Sequence, residues 1–317
     1  MQEDPAVVSL LADAELSALS RRNFLKLAAS TAVAARCGRP VERVLVFHAG
    51  SLALLLGEVS KRFERNHPAI RIDSESSGSL DAIRKVTDLG KNCDILMTAD
   101  HRLLDRSIVP ERAPGYFQLV GNEMVLAGST GNRELPGWQE EWHYPLLDRP
   151  FGISDPARDP AGYFAHLVWK LSEIHYNRPG LYRALSRRMD PRWMRPKSAE
   201  LVSLLQAGVL DFAFLYLSTA RQNNLPYLRL PPQISLGDPA YAEAYSRVFI
   251  EVPSSEPEQR REVQGAPIRA GVALLAPLGS AASSFLDFLI SGEAQQLFPE
   301  LGYTPIPVRR IIPGNPC

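Results

Sequence analysis

Ser51 and Ser79 are the side chains of this sequence best placed to do chemistry. Ser51 stands in Val46-Phe47-His48-Ala49-Gly50-Ser51-Leu52, and Ser79 stands in Ser77-Gly78-Ser79-Leu80. Each segment reads as a β-strand that ends in a small turn, followed by a serine that opens an amphipathic helix. A helix N-terminus offers unsatisfied N–H groups and the positive end of the helix dipole. Two such ends, each with a hydroxyl at its mouth, can grip a small anion without lysine or arginine. The chemistry is recognition of an oxyanion by donors that select by geometry rather than by net charge. A strongly hydrated dianion can be buried only where donors already aimed inward replace its water shell. Hydrogen bonds to a charged group contribute about 1.5–3 kcal/mol each. About six of them supply the roughly 12 kcal/mol of a nanomolar site, before association costs.

The flanking pattern describes what must hold these serines. After Ser51, the residues Leu52, Leu55, Leu56, Val59 and Phe63 share one helical face. Asn66-His67-Pro68 stops that helix. Ile70 and Ile72 alternate with polar residues in a strand. Ser79 is expected to cap a helix carrying Leu80, Ile83 and Val86, closed by Gly90, and residues 93–97 form a buried strand. This β-α-β-α-β order predicts a largely parallel sheet with helices on both faces. Residues 116–127 read as extended and as a crossing between domains, and 131–142 as a loop. A helix is expected over 162–176, with Phe164, Leu167, Val168, Leu171 and Ile174 on its buried face. Another follows Arg195-Pro196-Lys197, and 209–216 is an apolar strand. A Pro-rich stretch then leads to a strand at 268–275 and two closing helices. The result is two α/β lobes, 40–122 plus 267–317 and 123–266, with two crossings between them. Ligands of such open sheets bind at the carboxyl ends of strands, here the crevice between lobes.

Composition narrows the function classes. The 317 residues are 45% hydrophobic and 22% charged, as in a soluble globular protein of about two domains. Lys plus Arg and Asp plus Glu are both 35. That balance lacks the basic excess of a nucleic-acid or membrane-surface binder. No apolar run is long enough to span a bilayer. Three cysteines, Cys37, Cys93 and Cys317, make no disulfide framework; Cys93 is expected in the core. No His-Glu-x-x-His, Gly-x-Ser-x-Gly, Walker loop or Cys-x-x-Cys occurs, so an enzyme is not expected.

Residues 1–39 read as an export signal rather than as fold. Ser20-Arg21-Arg22-Asn23-Phe24-Leu25-Lys26 matches the twin-arginine pattern, a short apolar stretch follows, and Ala32-Val33-Ala34 suits cleavage. This implies a periplasmic or extracytoplasmic protein. The other reading of these residues is a basic helix start on a cytoplasmic protein. Cys37-Gly38 offers a lipid anchor, although Arg36 is wrong for that signal. Because twin-arginine export accompanies redox cofactors, an exported oxidoreductase stays as a remote alternative.

Further stretches complete an ordered set: Cys93-Asp94-Ile95-Leu96-Met97-Thr98-Ala99-Asp100, Asp159-Pro160-Ala161-Gly162-Tyr163, Arg195-Pro196-Lys197, Asp211-Phe212-Ala213-Phe214-Leu215-Tyr216 and Gly302-Tyr303-Thr304-Pro305. With the two serine segments, they resemble the periplasmic molybdate/tungstate-binding proteins of ABC importers, closest to the archaeal-type branch. The resemblance implies an α/β, type II periplasmic-binding-protein fold, two α/β lobes joined by a two-crossing hinge. It implies molybdate or tungstate as the bound ligand, no resident cofactor and no catalysis. The implied partners are an ABC permease and its ATPase, with no nucleic acid, and a monomer is expected. The site then falls on Gly50 and Ser51, on Ser79, on the backbone of Asp159, Pro160 and Ala161 (Pro160 has no N–H), on Ser198 and on Tyr216. Closure of the lobes over the ion would exclude water.

One departure matters. The archaeal-type branch places two carboxylates directly on the metal. The first falls on Asp159, a candidate ligand to Mo or W. The second falls on Ser198, and Glu200 points well away on a helix. Coordination is therefore expected to be tetrahedral and hydrogen-bonded, or to use one carboxylate. A fixed carboxylate repels a tetrahedral oxyanion unless it binds the metal or turns away. Sulfate or phosphate, for transport or for sensing, is the alternative ligand. Taken singly, the serines are also ordinary helix starts, Tyr216 a core residue, His48 a packed histidine, and Arg187, Arg188, Arg192 and Arg195 a solvated face.

Overall fold

The computed structural model describes residues 41–132, 134–138, 141–253 and 260–312. The residues expected to form an export segment, with Cys37, and Cys317 lie outside the described residues. β1 (Glu42–Ala49) carries the apolar run Val44 to Phe47 into the core. The chain then turns through a 3-10 segment, Gly50–Leu52, into α1 (Ala53–Asn66), which buries Leu55, Leu56, Val59 and Phe63 as its periodicity requires. β2 (Ile70–Ser77), α2 (Ser79–Thr87), the fully buried β3 (Ile95–Thr98), α3 (Arg102–Ser107) and β4 (Tyr116–Gly121) follow.

After two residues the chain enters a second sheet. Its elements are β5 (Met124–Gly128), β6 (Phe151–Ser154), α4 (Pro160–His175), α5 (Leu181–Arg188), β7 (Met194–Arg195), α6 (Ser198–Gln206), β8 (Phe212–Tyr216), α7 (Leu217–Gln222) and β9 (Tyr227–Arg229). A two-stranded ribbon, β10 (Phe249–Pro253) and β11 (Arg260–Gln264), precedes the return to the first sheet through β12 (Arg269–Leu274), α8 (Ala281–Leu289) and β13 (Arg309–Ile311).

The strand orders are β13-β4-β12-β3-β1-β2 and β7-β6-β8-β5-β9. β1 and β3 are parallel, but β12 is antiparallel to both β3 and β4. The expected largely parallel sheet is thus mixed. Strands that end toward the second lobe run one way, and the strand that returns from it runs the other. In the second sheet β6 is parallel to β7 and β8, while β5 is antiparallel to β8 and β9.

α4 is buried on nearly every side because it fills the space between its sheet and α5, with Phe164, Leu167, Val168 and Trp169 all at most 1% exposed. Ile174, expected on this face, is 62% exposed, since the packed stripe ends at Ser172. Part of the expected 131–142 loop is helical, over Leu135–Trp138, and Trp138 packs on Phe212. Cys93 lies half-buried, and burial pushes its thiol up to about 12.

Candidate oxyanion-binding site

The first lobe contributes two chain turns at the ends of β1 and β2. Ser51 is buried inside the 3-10 segment, not at its cap, because Ala49 holds that position in extended conformation. The Tyr303 hydroxyl donates to the Ser51 carbonyl and ties this turn to the C-terminal region. Ser79 is fully buried and is the first residue of α2. The expectation that it caps this helix is corrected: Gly78 occupies the cap, and Ser79 Oγ accepts the N–H of Ala99 at 3.0 Å. A hydroxyl has one proton and two lone pairs. With the oxygen engaged by the end of β3, the proton is left to donate.

The second lobe contributes the N-termini of α4 and α6. Asp159 caps α4, with Oδ1 accepting the Ala161 N–H at 3.3 Å and Oδ2 accepting the Ser198 N–H at 2.6 Å. One buried carboxylate therefore joins two helix ends. Burial raises its pKa above the usual carboxylate value, and the Ser198 and Ala161 N–H groups hold it back. Pro160 takes the first helical position, where a missing N–H costs nothing. Ser198 is buried as the first residue of α6, with Lys197 at the cap. Tyr216 ends β8 with no exposure, and its buried hydroxyl has no hydrogen-bond partner. Burial first, and the Asp159 charge second, push that phenol well above its ordinary value, so it remains a neutral donor.

The lobes meet over these ends. A Cβ on Gly50 would lie 3.6 Å from Lys197 Cδ and from Ala199 Cβ, and one on Gly78 would lie 2.3 Å from the Arg158 carbonyl oxygen. The N–H of Leu80 donates to that carbonyl at 3.1 Å. Arg158 Nε donates to Asp81 at 2.9 Å, and its Nη2 lies 2.8 Å from the same carboxylate oxygen. Tyr163 donates to Asp100 at 2.8 Å, and Gln222 to the Leu301 carbonyl at 2.8 Å. Burial alone would raise the Asp100 pKa, but the Arg102 guanidinium, 2.7 Å away, and the Tyr163 hydroxyl hold it far below the usual carboxylate range. The chain is thus in a closed arrangement. Asp81, Asp100, Arg158 and Tyr303 are not legible from local pattern, because each pairs with a partner distant in sequence.

The remaining candidates divide clearly. His48 is buried with Nδ1 2.9 Å from the Ala49 carbonyl oxygen, and burial lowers its pKa. Glu200 lies in the first turn of α6, and its charge acts on Arg158. Arg188, Arg192 and Arg195 are engaged locally, with the Asp148 carbonyl, the Asp190 carboxylate and the Arg192 and Met194 carbonyls respectively. Among the described residues, no group of three or more His, Cys, Asp or Glu side chains is placed to hold a metal ion.

Residues 44–304 match the family described as bacterial extracellular solute-binding protein. An uncharacterized solute-binding protein of Petrotoga mobilis is 35% identical over 268 residues, covering 83% of this chain and 84% of that protein. The molybdate/tungstate-binding protein WtpA of Pyrococcus abyssi is 32% identical over 294 residues, covering 83% and 84%. Its namesake in Thermococcus kodakarensis is 34% identical over 288 residues, covering 81% and 80%. Among solved structures, the periplasmic molybdate-binding protein of Azotobacter vinelandii superposes with a TM-score of 0.58 at 16% identity, covering 82% of this chain and 98% of that one. The sulfate-binding protein SubI of Mycobacterium tuberculosis gives 0.59 at 13% identity, covering 84% and 87%. These two likenesses are of fold. The chain belongs to the bacterial extracellular solute-binding proteins and has their periplasmic-binding-protein fold of two α/β lobes.

Proposed function

We propose that the protein is the extracytoplasmic receptor of an ABC importer and holds molybdate or tungstate between its lobes. The observation that carries this reading is the Tyr216 hydroxyl, fully buried and unpartnered beside Asp159 in a closed cleft. A buried donor without an acceptor costs about 1–3 kcal/mol, so its presence fits a ligand that accepts from it. Ser79 has its oxygen engaged and its proton available. Ser51, with Gly50, and Ser198 stand at the starts of the other helical segments that converge here. These groups are neutral donors, suited to a dianion whose charge is met by dipoles rather than by a counter-charge.

Asp159 decides the coordination. Each of its oxygens already accepts one backbone N–H, so the carboxylate is fixed in place. Each oxygen keeps a further lone pair that a metal can take. Ser198 supplies no second carboxylate. The coordination proposed is a hydrogen-bonded tetrahedral ion, or one with Asp159 as the sole carboxylate on the metal. X-ray absorption at the molybdenum edge tests this: a six-coordinate metal with two carboxylates would overturn it.

The cycle is a hinge closure. The ion settles on the first lobe, the second lobe closes through Arg158 and Tyr163, and the closed form meets the permease and its ATPase. Export by the twin-arginine segment at 20–26, with Cys37 as an alternative lipid anchor, brings the chain to that membrane face, and it acts there as a monomer.

A further inference from the structure

A cavity of about 370 Å³ lies at the lobe boundary, and its lining includes none of the proposed oxyanion ligands. α2 and α3 of the first lobe form one side of it, and the β10–β11 ribbon forms the other. The ribbon is fastened to α4 of the second lobe, because Lys170 donates to the Phe249 carbonyl at 2.6 Å and lies 5.0 Å from that ring. Ile83, Leu103 and Pro253 give the cavity an apolar wall, and Arg84, Arg106 and Arg261 give it charge.

Among the described residues, these arginines are poorly compensated. Arg84 lies 3.6 Å from Asp81, a carboxylate that Arg158 already holds at 2.8 Å. Arg106 reaches only the Glu262 carbonyl, at 3.3 Å. Arg261 has a buried Nη2 with no hydrogen-bond partner, and its guanidinium sits 5.6 Å from the centre of the Tyr163 ring. Burial, with the charges of Arg106 and Arg102 nearby, disfavours its charged form. Asp88, the one acidic side chain among the described lining residues, accepts from the Thr87 hydroxyl at 2.6 Å. An unpaired guanidinium is costly to bury, and its planar fork matches the oxygens of a phosphate. The hydroxyl of Ser107, also in the lining, adds a donor for a head with three oxygens. The volume falls within the range of small-molecule pockets and exceeds what a bare oxyanion fills.

We propose that this cavity is a second ligand site, which takes a small organic phosphate with its head on Arg106 and Arg261 and its carbon skeleton on the Ile83–Leu103–Pro253 wall. A ligand there joins α2, whose first residue is Ser79, to the ribbon of the other lobe. Calorimetric titration of the full chain with phenyl phosphate tests it. Binding should be equal within twofold in the wild type and in the Ser51→Ala/Ser79→Ala variant. It should weaken at least tenfold in Arg106→Gln/Arg261→Gln. Arg106→Lys/Arg261→Lys, which keeps both charges and the fold but not the forks, should also bind more weakly than wild type. Absence of phenyl phosphate binding to the wild type overturns the proposal. So does binding that the serine pair abolishes while both arginine pairs keep it. Neither outcome depends on whether the first site holds molybdate.

Discussion

The carboxylate of Asp159 holds the backbone N–H of Ser198 at 2.6 Å, so the N-termini of two helices in the second lobe share one buried anion. This contact ties the two helix ends to each other. Asp159→Ala removes the cap of α4 and the acceptor for α6 together. Loss of an N-cap costs about 0.5–2 kcal/mol, and here two helix ends lose their partner. The ligand-free variant should unfold with about 1–2 kcal/mol less stability in urea, and an unchanged midpoint would show that the contact does not tie the helix ends together.

Gly78 lies at a close approach of the two lobes. Its φ of −65° and ψ of 150° suit alanine, so the first lobe tolerates Gly78→Ala. The added Cβ would instead meet the Arg158 carbonyl oxygen at 2.3 Å. The variant should melt as the wild type does but bind tungstate at least tenfold more weakly, and small-angle scattering should find it extended even with ligand. Wild-type affinity would mean that closure does not bring these two residues together.

The Arg158–Asp81 pair crosses the cleft with side chains 43% and 18% exposed. Such a partly exposed pair contributes about 0.2–1 kcal/mol. Asp81→Asn should therefore speed ligand release by about two- to fivefold at low salt. The difference should fade near 1 M salt, where screening reaches about 3 Å. Equal release rates at low salt would remove this pair from the closure.

His166 is held in α4 against Trp169, with ring centroids 4.5 Å apart. Burial, and secondarily Lys170, lower its pKa to about 4 from 6.5. Between those values the unfolded chain binds the extra proton, so stability falls as pH drops from about 6.5 to about 4. At 1.36 kcal/mol per unit the loss is up to about 3 kcal/mol. Buried His48 and half-buried His101, also lowered, act in the same direction. Denaturant melts across this range should show the loss, and His166→Phe should flatten much of it. A wild-type slope in the variant would assign the effect elsewhere.

Local pattern carried the elements that matter for the site. The 3.6-residue stripe through Leu55, Val59 and Phe63 and the apolar run into Tyr216 correspond to α1 and β8. The exact place of the serines did not follow from pattern. Ser79 and Ser198 lie one residue past their helix caps and Ser51 two residues past its cap. A cap is recognised by residue type, whereas the partner of Ser79, the N–H of Ala99, comes from a strand 20 residues away. The β10–β11 ribbon escaped as well, because the apolar Phe249 stands on the exposed side of its alternation and the strands are only five residues each. The closure pairs Arg158–Asp81 and Tyr163–Asp100 are tertiary, separated by 77 and 63 residues, and no local signal announces them.

The central claim is that the cleft between the lobes binds molybdate or tungstate through the serine donors. Its most direct test is calorimetric titration of the ligand-stripped protein with molybdate, tungstate, sulfate and phosphate in turn, repeated on Ser51→Ala/Ser79→Ala. The account predicts tight binding of the first two ions and weak or absent sulfate binding. It also predicts a loss of about 1.5–3 kcal/mol for each serine removed. No molybdate or tungstate binding, or affinity unchanged in the double variant, would contradict it.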